Sequence, residues 1–288
     1  ATSRMSMFLA GLPYDIPLAA VNRQCASSLQ AVANIATAIK TGTIDVGMAG
    51  GVESMSMYPM TSQTVPEKMS PLVPQNDLAA ACLMPMGVTS ENVAEKYGIT
   101  REVQDQMGVE SNAKAAAAQK NGLFDAEIVP ISVMVKEKDG STKQVTVTAD
   151  DGPRASTTME SLAKLKPVFK AGGSTTAGNA SQMSDGASMI LMARRSAAKA
   201  LKRAGLQASD IDIDEVNEAF ASQPTMTIEH VGIPKDKLNP KGGAIAFGHA
   251  LGCTGCRQVA SLLPELKRTG KKLGVTAMCM GSGMGAAA

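Results

Sequence analysis

Residues 21–42, VNRQCASSLQAVANIATAIKTG, constrain the fold more tightly than any other stretch of the 288-residue chain. The apolar run at 16–21 reads as the end of a strand. Leu29, Val32, Ala36 and Ile39 then recur at helical spacing until Gly42 supplies a C-cap. The pattern predicts strand, tight turn and helix, with Cys25 on the turn at the helix N-terminus. Exposed backbone N–H groups and the helix dipole at such a place favour a thiolate, which makes Cys25 a candidate nucleophile. The alternative for a single cysteine is a small buried hydrophobe.

The remaining chain repeats this α/β alternation. Residues 44–56 read as a short buried strand whose glycine pair implies close backbone approach, with Glu53 bonding nearby backbone N–H groups. Residues 58–83 read as loop. Two helices follow, capped by Ser90 and Thr100 and stopped by Gly98 and Gly122. EIVPISVMV and STKQVTVTAD around KDGS predict a β-hairpin. GASMILMARRSAAKALKRAG reads as a buried strand running into a helix closed by Gly205. A strand is then expected to end at Asn217, a Gly-rich loop around His249 to open a helix, and a buried strand to carry Cys279 into a glycine hairpin.

Composition excludes several classes. With 28 Lys+Arg against 26 Asp+Glu, 3% aromatics and no Trp, neither nucleic-acid binding nor attachment to a membrane surface is expected. Five cysteines in no paired pattern point to a reducing compartment rather than a disulfide framework. No run is long and apolar enough for a membrane span, and no signal peptide or C-terminal address is read from the ends. Taken singly, His249 reads as a satisfied histidine, Asn217 as a helix cap, Cys279 as core and His230 as a surface residue. Cys253 and Cys256 form one CxxC without a second ligand pair, so coincidence is favoured over a redox or zinc site and no metal is expected.

Three segments together, VNRQCASSL, NEAF followed by GGAIAFGHALGCTG, and MCMGSGMG, resemble the signatures of the thiolases. NRQC and LAKLKPVF are most similar to the peroxisomal type of 3-ketoacyl-CoA thiolase. The resemblance implies an α/β thiolase-like fold of two similar halves, mixed sheets between helices, plus an inserted loop domain. The corresponding division is 1–57 for the N-terminal half, 58–182 for the loop domain, 183–200 for the return, and 201–288 for the C-terminal half.

It also implies a chemistry. Cys25 is the nucleophile that carries the acyl group, His249 its base, and Cys279 the acid for the departing acetyl-CoA carbanion. The backbone N–H groups of Cys25 and Gly281 form one oxyanion hole; Asn217, through a water, and His249 form the other. Arg154 and Ser161 stand where thiolases face the nucleotide end of coenzyme A, and Met86, Ser181, Ala219 and Phe220 where they line the pantetheine tunnel. Coenzyme A is a substrate, and no cofactor is bound permanently. The partners implied are acyl-CoA, coenzyme A and a second copy in a homodimer. The setting implied is peroxisomal, with mitochondrial or cytoplasmic locations as alternatives.

The chain departs from the pattern at Ala250, where thiolases carry proline, at Ser28 in place of glycine, and at Pro85, where some carry histidine. It is roughly a hundred residues shorter than a thiolase should be. Gaps are expected before Cys25, near Ala200 and Leu201, and after Ala288, leaving exposed strand edges and apolar faces. A non-catalytic acyl-CoA-binding or interaction protein, and a biosynthetic acetoacetyl-CoA thiolase, are the competing readings.

Overall fold

The computed structural model describes residues 2–60, 68–137, 139–193 and 210–288. The chain opens with α1 (Thr2–Leu9), and residues 16–21 follow as irregular chain, not as the expected strand. A strand needs a ladder partner, and this segment has none among the described residues. Its carbonyls at Tyr14 and Ile16 instead accept from the Arg4 guanidinium, which holds the segment to α1. The helix after Cys25 forms as expected. It is α2 (Ser27–Thr41), stopped at Gly42, whose φ of 82° lets its N–H reach back to the carbonyls of Ala38 and Ile39.

Strand β1 (Val46–Glu53) comes next, and then a long excursion. The excursion carries α3 (Asp77–Ala81), α4 (Met86–Tyr97), α5 (Arg101–Lys120), the hairpin β2 (Ile131–Lys136) and β3 (Thr142–Val147), and α6 (Met159–Ala163). Ser90 does not cap α4. Pro85, with its preset φ, starts the helix four residues earlier, and the Ser90 hydroxyl is buried against Thr175 (2.9 Å) and Ser222 (2.7 Å). Thr100 does cap α5, accepting from the Val103 N–H at 3.4 Å. The hairpin forms as expected, with Ile131, Val133 and Val135 facing Val147, Val145 and Lys143.

The chain returns as β4 (Gly186–Ala193), antiparallel to β1 with Val46 opposite Ala193 and Glu53 opposite Gly186. Helix α2 lies against this pair, as does the helix at Thr254–Thr269. Among the described residues only one face is covered: Ala49 and Ile190 are buried, whereas Val46, Met48, Val52, Met189 and Leu191 are exposed. The expected burial of both strands therefore fails on one face, and the expected exposed apolar surface is present among the described residues. The covered face packs backbone on backbone. A side chain at Gly51 would run into the Gly252 carbonyl and Ser28, and the Glu53 carboxylate accepts from the Gly252 N–H at 3.0 Å, as anticipated. The expected helix ending at Gly205 and the gap at Ala200 and Leu201 lie outside the described residues.

The C-terminal part holds β5 (Ile213–Val216), α7 (Ser222–Val231), α8 (Ala244–Phe247), α9 (Thr254–Thr269), β6 (Gly274–Met280) and β7 (Met284–Ala287). β5 runs parallel to β6, with Val216 opposite Ala277, and β7 folds back antiparallel on β6. Asn217 and Cys279 thus emerge at the same end of a parallel pair, the end where open α/β sheets place their ligands.

Candidate active site

Cys25 sits on a single 3-10 turn, Gln24–Ala26, ahead of α2. The turn is built locally. Asn22 Oδ1 accepts from the Gln24 N–H at 2.9 Å, and Ser27 Oγ accepts from the Arg23 N–H at 2.9 Å while donating to the Gln24 carbonyl at 2.6 Å. Cys25 is half-buried against Ala26, Leu29, Met278 and Met280, so the turn rests directly on β6. The backbone N–H groups of Gly281 and of Cys25 itself both act to lower the pKa of the thiol. A side chain at Gly281 would displace the Gln24 amide that lies against it.

These donors do not make Cys25 a resting thiolate. Burial pushes its pKa up, and this outweighs the pull of the two N–H groups. The expectation of a helix-activated thiolate is corrected accordingly, because the site is drier than a solvated turn. Cys279, on β6, is pushed up to about 12, chiefly by burial and then by the neighbouring Cys25. Both thiols are therefore protonated at neutral pH.

Asn217 leaves β5 with its N–H on the Ala277 carbonyl at 2.8 Å. Its Nδ2 lies 3.4 Å from His249 Nε2, and His249 Nδ1 lies 2.7 Å from Thr254 Oγ1. The hydrogen-bond network assigns the tautomer. Asn217 Nδ2 can only donate, so Nε2 accepts and Nδ1 carries the proton. Nδ1 donates to Thr254 Oγ1, which in turn donates to the Ala250 carbonyl at 2.9 Å. Burial lowers the imidazole pKa to about 4, with Arg257 adding to the effect. His249 is thus a neutral base whose Nε2 lone pair faces Asn217 Nδ2. Asn217 Oδ1 is buried without a protein partner.

Residues 1–196 match the family described as the thiolase N-terminal domain, and residues 173–288 match the thiolase C-terminal domain. The chain belongs to the thiolase family. It is 52% identical to 3-ketoacyl-CoA thiolase B, peroxisomal, of Rattus norvegicus, over 100% of this chain and 75% of the rat protein. That alignment runs over 322 residues against 288 in this chain, so the rat thiolase holds positions inside the matched region that are missing here. The crystal structure of the dimeric peroxisomal thiolase of Saccharomyces cerevisiae superposes with a TM-score of 0.85 at 45% identity, covering 99% of this chain and 78% of that one. Human mitochondrial 3-ketoacyl-CoA thiolase gives a TM-score of 0.85 at 34% identity, covering 99% and 81%.

Of the thiolase positions expected to hold coenzyme A, four are drawn to one side of the site. Ser181 donates through N and Oγ to the Ala219 carbonyl, both at 3.0 Å, and Phe220 pairs in a bridge with Ala180. The Phe220 ring meets Phe169 edge to face at 5.9 Å, and Phe169 packs on Gly87 beside Met86 at the start of α4. Met86 and Cys25 line one open trough of about 2390 Å³. Arg154 and Ser161 lie elsewhere. The Arg154 side chain is exposed, and its N–H donates to Asn112 Oδ1 at 2.9 Å. The Ser161 hydroxyl is engaged in a capping box with Thr158.

Cys253 and Cys256 are buried free thiols at the N-terminal end of α9. Among the described residues no group of three or more His, Cys, Asp or Glu side chains could hold a metal. His230 is exposed in the last turn of α7, as expected. Thr254 is the functional residue the sequence reading missed. The available signal was a hydroxyl five positions after the histidine, where a helix begins.

Proposed function

We propose that this thiolase works through Cys25, His249, Asn217, Cys279 and Gly281. The reaction is that of the family's 3-ketoacyl-CoA enzymes: acyl transfer from 3-ketoacyl-CoA to coenzyme A, giving acyl-CoA and acetyl-CoA in peroxisomal fatty-acid β-oxidation. Coenzyme A is a substrate, and the molecule assembles as a homodimer. What supports the residue assignment is that Cys25 rests against β6, which carries Cys279, with both thiols protonated, while Asn217 at the end of the adjoining strand β5 meets a neutral histidine whose tautomer is set.

In this reading His249 Nε2 takes the Cys25 proton as the sulfur attacks the 3-keto carbon. The C2–C3 bond then breaks, leaving an acyl thioester on Cys25 and the acetyl-CoA carbanion. Cys279, held as a thiol by burial, supplies the proton that completes acetyl-CoA. A coenzyme A thiol, giving its proton to the Cys279 thiolate, then attacks the acyl-Cys25 carbonyl. The developing oxyanion receives the Cys25 and Gly281 N–H groups, and the Cys25 sulfur leaves and takes its proton back from His249. The second oxyanion falls to His249 and to a water on Asn217, consistent with the unpartnered Asn217 Oδ1. Met86, Ser181, Ala219 and Phe220 line the pantetheine arm, and Arg154 and Ser161 lie toward the nucleotide.

We read the chain as an N-terminal half at 1–57, a loop domain at 58–182, a return at 183–200 and a C-terminal half from 201. The pairing of β1 with β4 across the intervening excursion supports this division.

The test is acid-quenched labelling with acetyl-CoA, mapped by mass spectrometry, with Cys25→Ala as control. An acetyl group on Cys25 that the control lacks is expected. A folded protein that takes up no label would overturn the catalytic reading and leave a scaffold that only binds coenzyme A.

A further inference from the structure

Glu218, the residue after Asn217, is fully buried and has no part in the chemistry above. Its carboxylate accepts three hydrogen bonds from three separate segments. Ser111 Oγ on α5 donates at 2.5 Å, Asn239 Nδ2 at 2.7 Å, and the Ile245 N–H of α8 at 3.2 Å. Ser111 Oγ in turn accepts from the Gly243 N–H at 3.1 Å.

Each of those segments leads to the site. Asn239 extends β5 as though it were a neighbouring strand: its Oδ1 accepts from the Val216 N–H at 2.9 Å and its Nδ2 donates to the Val216 carbonyl at 2.8 Å. The backbone on either side of Asn217 is therefore held. Helix α8 is one turn long, and the Gly248 N–H closes on the Ala244 carbonyl at 2.8 Å, so whatever holds Ile245 also places Gly248 and His249.

We propose that Glu218 is the positioning residue that holds Asn217 and His249 in register, by tying β5 to α5, to the Asn239 loop and to α8. The proposal rests on the reading that Asn217 and His249 act in the reaction. A carboxylate suits the position because all three partners are donors. An amide of the same shape would turn an N–H toward at least one of them, leaving buried polar groups unpaired.

The test is a double-mutant cycle on the full chain with kcat and KM measured separately. Glu218→Gln is expected to lower kcat by about tenfold or more while KM for coenzyme A changes by less than about twofold. In the Asn217→Ala background the same change is expected to cost clearly less than in the parent, because only the placing of His249 is left to lose. Ser111→Ala removes a single donor. It serves the same cycle should Glu218→Gln fail to fold, with a smaller loss of kcat expected. Equal losses in both backgrounds, an effect on KM alone, or unchanged kcat would overturn the proposal. Asn217→Ala with full kcat would overturn the underlying reading of the site, an outcome distinct from an Asn217→Ala enzyme that is impaired and a Glu218→Gln enzyme that is not.

Discussion

Burial acts on the thiols and the imidazole in one sense, by penalising charge, and so gives them opposite chemical roles. Cys279 becomes a held acid and His249 a neutral base. The same effect links His249 to stability. Its pKa in the folded protein is about 4 against an ordinary 6.5, so the unfolded chain binds more protons between those values and stability falls as the pH drops through that window. Between pH 7 and pH 5 this amounts to about 2 kcal/mol. Glu215 works the other way. Burial raises it to about 7 from 4.5, so its contribution is present below the lower value and is lost as pH rises through the upper one. The comparison that isolates the imidazole is His249→Asn against the parent in urea unfolding at pH 7 and pH 5. The variant should lose about 2 kcal/mol less on acidification, and identical losses would show that the ring takes up its proton in the folded state. Cys25 was legible as a candidate nucleophile from the turn it opens. Its protonation state was not, because desolvation comes from Met278, Met280 and other side chains distant in sequence.

The elements read locally came out where a local cap or turn decides them. Gly42 and Thr100 each set an end by their own backbone chemistry. Ser90 misled because serine serves equally as a cap and as a buried donor, and Pro85 had already started the helix. Period-two alternation in β1 and β4 was overlooked in favour of continuous apolar runs, since glycine and alanine carry the covered face. The register makes the difference measurable. Ile190 points at α2 and α9, with 8% of its surface exposed, whereas its neighbour Leu191 is 68% exposed. Ile190→Ala should cost about 2–4 kcal/mol in denaturant unfolding, and Leu191→Ala less than about 1 kcal/mol. Similar costs at both would mean that something in solution covers the outer face.

At the scale of the molecule, the homodimer predicts a mass of twice the chain in sedimentation equilibrium at micromolar concentration; a monomer there would contradict it. The three signature segments lie far apart in the chain, near residues 25, 249 and 279, and converge because β5 and β6 run parallel while the Cys25 turn rests on β6. Periodicity, caps and signature residues determine the strand-to-helix turn, the hairpin, the family and the chemical kinds of group involved, since these depend on neighbours a few positions apart. Tertiary structure alone decides which thiol is dry, which imidazole nitrogen carries the proton, that Ser161 is engaged in a helix cap, and that one face of β1 and β4 is bare among the described residues. Each of those depends on what packs against a residue from the far side of the fold, and desolvation and hydrogen-bond partnership are properties of that contact.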